Sequence, residues 1–304
     1  MKKIFLPIVL LACSISLLHA QNDTMYIMRQ GKVLRKHKVA EVDSIIFYKP
    51  AVTKPTALIP AGTFNMGNPN AQHQVTLSAF KMSKYETTNE QFAAFLNAKG
   101  IDRYGGYADG TYPNPGLICA SNGSSDFGLH YTNNKWAPVA GYENNPAINV
   151  TWYGAVEFAT YVGGRLPTEA EWEYACRANT TTPFSTGYCL TDAQANYFWG
   201  APYRGCTNTN TNYLGKTQAV GAYDANAFGL YDMHGNAWEW CNDWYGDYPT
   251  TAQTNPTGAA TGLYRVFRGG GWYDSAKSCS SAYRNNFYPY TNGLYVGFRV
   301  VFAP

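Results

Sequence analysis

Gly229–Trp244 reads GLYDMHGNAWEWCNDW. Asp232, Asn236, Glu239 and Asp243 offer side-chain oxygens there, with Trp238, Trp240, Trp244 and Cys241 among them. Gly229 and Gly235 permit turns that other residues resist. Tryptophan alternating with carboxylate fits neither a simple amphipathic helix nor a simple strand. Two readings follow. One is an aromatic-rich core loop whose polar groups satisfy local backbone. The other is a loop around a hard cation, with charge from Asp232 and Glu239 and carbonyls freed at Gly235 completing an oxygen shell.

The rest of the chain supports one sizeable domain with small N-terminal extras. Of 304 residues, 45% are hydrophobic and only 14% charged, while Gly (29) and Tyr (25) are plentiful. That balance favours an irregular, loop-rich fold over a helical bundle, and the short strands and about three helices read along the chain below make the expected class α+β. Net charge is +3, with no dense basic run outside residues 29–38, so nucleic acid is not an expected partner. Residues 1–20 read as a secretory signal: Lys2 and Lys3, an apolar run Ile4–Leu18, and a cleavage site after Ala20. A lipoprotein signal ending at Cys13 is the competing reading. No transmembrane segment is expected after cleavage, and the product would be periplasmic, cell-surface or secreted. Residues 21–50 read as a small β segment turning at Gln30-Gly31-Lys32, residues 51–57 as a linker, and residues 58–304 as the main domain.

Export makes disulfides possible. Cys189 and Cys206 bracket an aperiodic loop and are the expected bridge. Among Cys176, Cys241 and Cys279 the spacing selects no pair, and Cys119 is expected to be unpaired. In chain order, strands are expected at Leu58–Gly67 and Val75–Phe80. A helix over Thr87–Ala98 has Thr88 and Gln91 as its capping box. A second runs over Thr151–Val162, and a third starts at Thr168 with Glu171 as its box partner. Glu169, Glu171 and Glu173 could form a catalytic cluster, but acidic residues in a first turn also complement the helix dipole, the reading preferred here. The long loop 179–228 needs an organiser.

Further pieces recur in order: IPAGTFNMG (59–67), YETTNEQF (85–92), PAINVTWYGAVEFATYVGGRLPTEAEWEYACR (146–177), RVFRGGGW (265–272) and GFRV (297–300). With GLYDMHGNAWEW they resemble the formylglycine-generating enzyme (sulfatase-modifying factor) family over roughly residues 58–302. The resemblance implies a C-type-lectin-like fold with two structural calcium ions. One ion would be held by Asn196, the Tyr197 carbonyl, Asn212 and the Leu214 carbonyl. The other would take Asp232, the Gly235 and Ala237 carbonyls and Glu239. It also implies an oxidase that converts a sulfatase cysteine to formylglycine with copper. That chemistry needs a C-x4-C pair, since two thiolates suit Cu(I). Cys279 matches the second position, but the first falls on Asp274, a hard oxygen donor. Trp238 matches the tryptophan of the oxygen pocket, and Gly271 stands where the oxidases have serine.

The segment after Trp272 has a different character. Trp272, Tyr273, Asp274, Ser275, Tyr283, Asn285, Phe287, Tyr288, Tyr290, Asn292 and Tyr295 are interleaved with framework pieces RGGGW, AYR and VGFRV. Tyrosine gives rigid amphipathic area, and Ser and Asn give adaptable hydrogen bonds, as in antibody paratopes. The pattern also resembles variable proteins of diversity-generating retroelements, whose randomised Asn codons can yield Tyr, Asp, Ser, Phe, Thr and Leu. The expectation is a binding protein with a protein or glycan ligand. The alternative is the oxidase, acting on a sulfatase polypeptide.

Overall fold

The computed structural model describes residues 55–106, 116–118, 128–210, 213–291 and 295–304, and the backbone of 19–21, 24–29 and 32–38. The chain divides into two units, Met1–Lys49 and Pro50–Pro304. In the first, β1 (His19–Gln21), β2 (Thr24–Arg29) and β3 (Lys32–Lys38) form an antiparallel sheet in that order. The expected hairpin corresponds to β2 and β3, and the expected cleavage point after Ala20 falls inside β1. Cys13 and the rest of the expected leader before His19 lie outside the described residues, as does Cys119.

The second unit opens with β4 (Thr56–Ile59), β5 (Gly62–Met66), β6 (His73–Leu77) and β7 (Phe80–Ser83). Thr56 and Ala57, expected in the linker, are already strand. The burial of β6 alternates from His73 to Leu77, and Val75 and Leu77 enter the core, the period-2 pattern of a half-buried strand. Helix α1 (Asn89–Ala98) starts at Thr88, which with Gln91 forms a complete capping box. After the hairpin of β8 (Leu129–Thr132) and β9 (Lys135–Pro138) come α2 (Trp152–Tyr161), capped by Thr151, and α3 (Glu169–Arg177), capped by Thr168 with Glu171 closing the box. Each box answers backbone groups left open at a helix start. These three helices and their starts match the sequence reading.

Beyond α3 the chain is loop until β10 (Trp238–Trp244), followed by β11 (Gln253–Thr254), β12 (Arg265–Arg268), β13 (Arg284–Phe287), β14 (Val296–Gly297) and β15 (Val301–Phe302). The tryptophan-carboxylate stretch is therefore a loop that becomes a strand. It lies between β12 and β14 in the sheet β13-β12-β10-β14, with its register shifting between Trp240 and Trp244. A central strand is covered on both faces, which explains why its side chains do not alternate polar and apolar. One apolar cluster joins α1 and α2 to Trp238, Trp240 and Phe267. A second joins the β4–β7 strands to α3, Cys241 and Val266. A third, around Phe184, Tyr197 and Trp199, includes Ala276 and Cys279. The Cys189–Cys206 bridge is present and pins the loop that carries this third cluster. Cys176, Cys241 and Cys279 are free and buried, so the pairings left open among them do not form.

Candidate functional site

The C-terminal segment is tied to the domain through buried arginines. Arg268 ends β12 opposite Glu239 on β10 and reaches across to α3, pairing with Glu173 and lying 3.6 Å from Glu169. Arg284 on β13 grips both oxygens of Glu169 at 2.8 and 2.6 Å. Arg299 grips both oxygens of Glu239 at 2.7 and 2.6 Å, and Trp172 Nε1 donates to the same carboxylate at 2.8 Å. Arg165 forks onto Glu171. The acidic run of α3 thus has an arginine partner at each position. This is more than the dipole complement expected from sequence. It is also not a catalytic cluster, because every carboxylate is committed to a cation.

Arg299 also changes the reading of the second calcium set. Asp232 and Glu239 were expected to need an ion to balance charge among tryptophans. Glu239 instead carries three charge-assisted hydrogen bonds and a buried guanidinium, while Asp232 accepts the Gly221 amide at 2.6 Å. A carboxylate already neutralised in this way does not fit as the charged ligand of a cation. Asn236, next to Gly235, is spent on Glu86, Gln218 and Asn196. Gly235 itself has φ of 84°, and a Cβ there would overlap the Asn196 carbonyl. The glycine is required by this close approach as well as by the turn.

The first set differs. Asn196 Nδ2 donates to the Lys216 carbonyl and Asn236 Oδ1, while Asn196 Oδ1 is buried with no partner. An orphaned buried acceptor suits a hard cation, and Tyr197, whose carbonyl was expected in the same set, follows Asn196 in sequence. Leu214 is partly exposed in the same loop, and Asn212 lies outside the described residues. Among the described residues, no three or more His, Cys, Asp or Glu side chains gather into a metal centre.

At the expected copper position the residues do not fit the metal. Asp274 Oδ2 accepts from Trp238 Nε1 at 2.8 Å and from the Gly271 amide at 3.0 Å. Burial pushes its carboxyl pKa up, and these two hydrogen bonds oppose the shift. Its carboxylate therefore turns inward. Cys279 is fully buried under Gly270, with its thiol pKa raised well above the ordinary value by burial. Gly270 has φ of 73°, and no side chain would fit between its backbone and the sulfur. A single protonated thiol and a hydrogen-bonded carboxylate offer Cu(I) no thiolate pair. Behind them, His234 donates through Nδ1 to the Cys279 carbonyl and accepts the Ser185 amide on Nε2. Burial lowers its pKa to about 4, which keeps it neutral.

Around this buried patch the Tyr/Asn/Ser residues face outward. Gly271, Ala276, Cys279, Ser281, Pro289 and Val296 are buried, whereas Trp272, Tyr273, Ser275, Tyr283, Asn285, Phe287, Tyr288, Tyr290 and Tyr295 are all partly or largely exposed. Asn292 lies outside the described residues. The aromatics form two groups. Trp272 contacts Tyr273, Tyr295 and Tyr213, and Tyr213 contacts Phe198. Tyr288 stacks on Tyr290 and contacts Phe287 and Tyr264. Sequence reading missed Phe198, Tyr213 and Tyr264, which come from outside the segment and carry no local mark. The surface is anchored from beneath: the Trp272 amide donates to the Asn236 carbonyl, the Phe198 amide to the Asp274 carbonyl, and the Trp152 amide to the Pro289 carbonyl.

Residues 47–304 match the model of the sulfatase-modifying factor enzyme 1-like domain. The chain belongs to that family. Among relatives, the formylglycine-generating enzyme of Thermomonospora curvata is 31% identical over 295 residues, covering 83% of this chain and 95% of that protein. The Bos taurus formylglycine-generating enzyme is 30% identical, covering 83% and 75%. A protein named serine/threonine-protein kinase pkn1 from Chlamydia caviae is 36% identical over 75% of this chain. The chain spans about a third of the length of the kinase-named relatives it matches. The solved structure of PvdO from Pseudomonas aeruginosa is similar at TM-score 0.61 and 25% identity, covering 84% of this chain and 97% of that one. Treponema denticola variable protein 1 is similar at TM-score 0.58 and 23% identity, covering 82% and 95%. The fold is thus the mixed α+β, loop-rich, C-type-lectin-like fold of the family. Among the described residues no helix is long and apolar enough to cross a membrane.

Proposed function

We infer that this member of the sulfatase-modifying factor family is an exported ligand-binding protein. It engages a protein or glycan through the exposed side chains of Trp272–Tyr295. The observation that carries this reading is the agreement of two divisions. Among the described residues of 271–296 the buried positions are framework, and the partly or largely exposed ones are mostly Tyr, Asn and Ser, with Phe287, Trp272, Asp274, Lys277, Ala282, Arg284 and Thr291 among them. Rigid aromatic area interleaved with small polar groups is what an adaptable binding surface uses. A diversity-generating retroelement would vary the same positions. Asn196 holds a structural calcium ion through its orphaned Oδ1, with the Tyr197 carbonyl beside it.

Sequencing the locus from sibling isolates tests the reading. The expected result is variation at 273, 274, 275, 283, 285, 287, 288, 290, 292 and 295, beside a near-copy of the segment and a reverse transcriptase. Arg268, Trp272, Arg284 and Arg299 stay fixed. Invariant positions would return the surface to a fixed pocket and remove the diversified-binder reading. The oxidase reading has its own measurement: stoichiometric Cu(I) binding abolished by Cys279→Ser would restore it. Asp274→Cys, which recreates the thiolate spacing, supplies the positive control.

A further inference from the structure

Along one edge of that surface, sharing Tyr283 with it, runs a trough. Its larger part is an 830 Å³ cavity walled by Asn68–Asn70, Thr181–Pro183, Pro202–Arg204, Tyr248 and the 277–284 segment. A 540 Å³ cavity continues it along β5 and the end of α3, sharing Pro69, Gln72, Arg177 and Thr181. No Asp or Glu lines either cavity. Arg177 and Arg284 at its floor are neutralised by Glu173 and Glu169. Arg204 and Lys277 are not: both are exposed, and neither has an ion-pair partner among the described residues. The trough therefore carries two uncompensated positive charges at one end and no negative charge along its length.

Its walls are fixed before any ligand arrives. Tyr203 is held edge-on by Phe184 and Tyr188 at 5.2 and 5.5 Å, in the loop closed by the Cys189–Cys206 bridge. Tyr248 is held between the His73 ring and the Arg284 guanidinium, with its hydroxyl on Glu169. The Ser281 amide ties the 277–284 wall to the Pro183 carbonyl. Preorganised walls reduce the ordering cost of binding. Asn and Gln amides and Thr and Ser hydroxyls in the lining complement sugar hydroxyls, while the tyrosine rings, Phe64, Pro69, Pro183 and Pro202 offer apolar area to sugar faces. Two free cations are too few for a nucleic-acid backbone, where affinity scales with many phosphate contacts.

We propose that this trough binds an acidic oligosaccharide, its carboxylates paired with Arg204 and Lys277 and its rings against Tyr203. The proposal does not depend on variability of the Trp272–Tyr295 surface. The test is titration of the full chain with hexagalacturonate, with a neutral hexasaccharide and hexaglutamate as comparison probes. Hexagalacturonate is expected to bind and to weaken as salt screens the pairing. The Arg204→Glu/Lys277→Glu double variant should lose about tenfold or more in affinity. Lys135→Glu, an exposed charge on the β8–β9 hairpin, should lose none. If the double reversal lowers the melting temperature, Arg204→Gln/Lys277→Gln decides in its place. Absence of binding at low salt overturns the proposal, and so does unchanged affinity in the charge variants. Equal affinity for hexaglutamate overturns the saccharide assignment in favour of an acidic peptide.

Discussion

Arg268 and Arg299 are as buried as the aliphatic core, whereas Tyr273 and Tyr290, a few residues away in sequence, expose 62% and 45% of their surface. The same C-terminal segment thus holds both fully buried and widely exposed side chains. A guanidinium inside protein is tolerated only with a well-placed partner. Here the partners stand on α3 and β10, 95 and 60 residues away in sequence. Charge pairing locks the segment to two remote elements, and of its tyrosines Tyr283 still packs on the core beside Trp238, whereas the ring contacts of Tyr273 and Tyr290 are with other surface aromatics. A surface can change its side chains when the backbone beneath does not depend on them.

The largest expected effect comes from breaking the buried half. Arg299→Met leaves Glu239 without its only arginine among the described residues, and unfolding in urea should show a loss of about 3–5 kcal/mol. Adding Glu239→Met should recover part of that loss, because the stranded charge is removed along with its mate. A single-variant loss under about 1 kcal/mol would mean that packing, not charge, anchors the segment.

Asp243 is the next test, since among the described residues this buried carboxylate has no arginine of its own. It accepts the Glu169 amide at 2.9 Å, and burial together with Glu169 raises its pKa to about 7. The folded-state pKa lies above the unfolded value of about 3.9. The native state therefore holds a proton that the unfolded chain gives up between those values. Stability falls as pH rises through that window, by on the order of 1–4 kcal/mol when complete. Asp243→Asn keeps an acceptor for the amide and removes the titration. Its melting temperature should gain on the parent from pH 4.5 to 7.5. Glu86, also raised by burial, adds a slope common to both proteins, so the difference between profiles is the readout. Parallel profiles would show that Asp243 stays ionised in the fold.

A smaller effect is expected from calcium. Chelator should lower stability on the order of 1–3 kcal/mol, the linkage of an ion held at 10 to 100 times its Kd. Asn196→Ala should abolish that response. Glu239→Ala is the poorer probe, because it strands Arg299 whether or not an ion is bound. An identical melting curve with and without chelator would remove the ion and leave Asn196 Oδ1 as an unpaid cost of the loop.

What could be read from sequence was what is encoded locally. Thr88 with Gln91 and Thr168 with Glu171 lie three residues apart and cap helices by themselves. Cys189 and Cys206 bracket one loop. The framework motifs identified the family, and the exposed pattern after Trp272 was visible as composition. The pairing of Glu239 with Arg299 was not legible, because no local feature says which arginine will cross the sheet. Trp238–Trp244 looked unlike a strand because burial on both faces erases the alternation by which strands are recognised. Tyr213 and the trough were missed for a related reason: their neighbours come from segments far apart in the chain.

The smallest expected effect is the one that separates the two halves most sharply. Tyr273→Ala and Tyr290→Ala remove large rings, yet both are widely exposed and their ring contacts are with other surface aromatics. Surface substitutions of this kind change stability by about 0.5 kcal/mol or less. Truncation of a buried ring such as Phe298, which packs against Phe92 and Phe158, should cost about 3–5 kcal/mol. Thermal unfolding of the three variants side by side measures the contrast. If the tyrosine variants lose as much as Phe298→Ala, the aromatic surface is part of what holds the fold. It could not then be freely exchanged, and its tyrosines would need a structural explanation instead of a binding one.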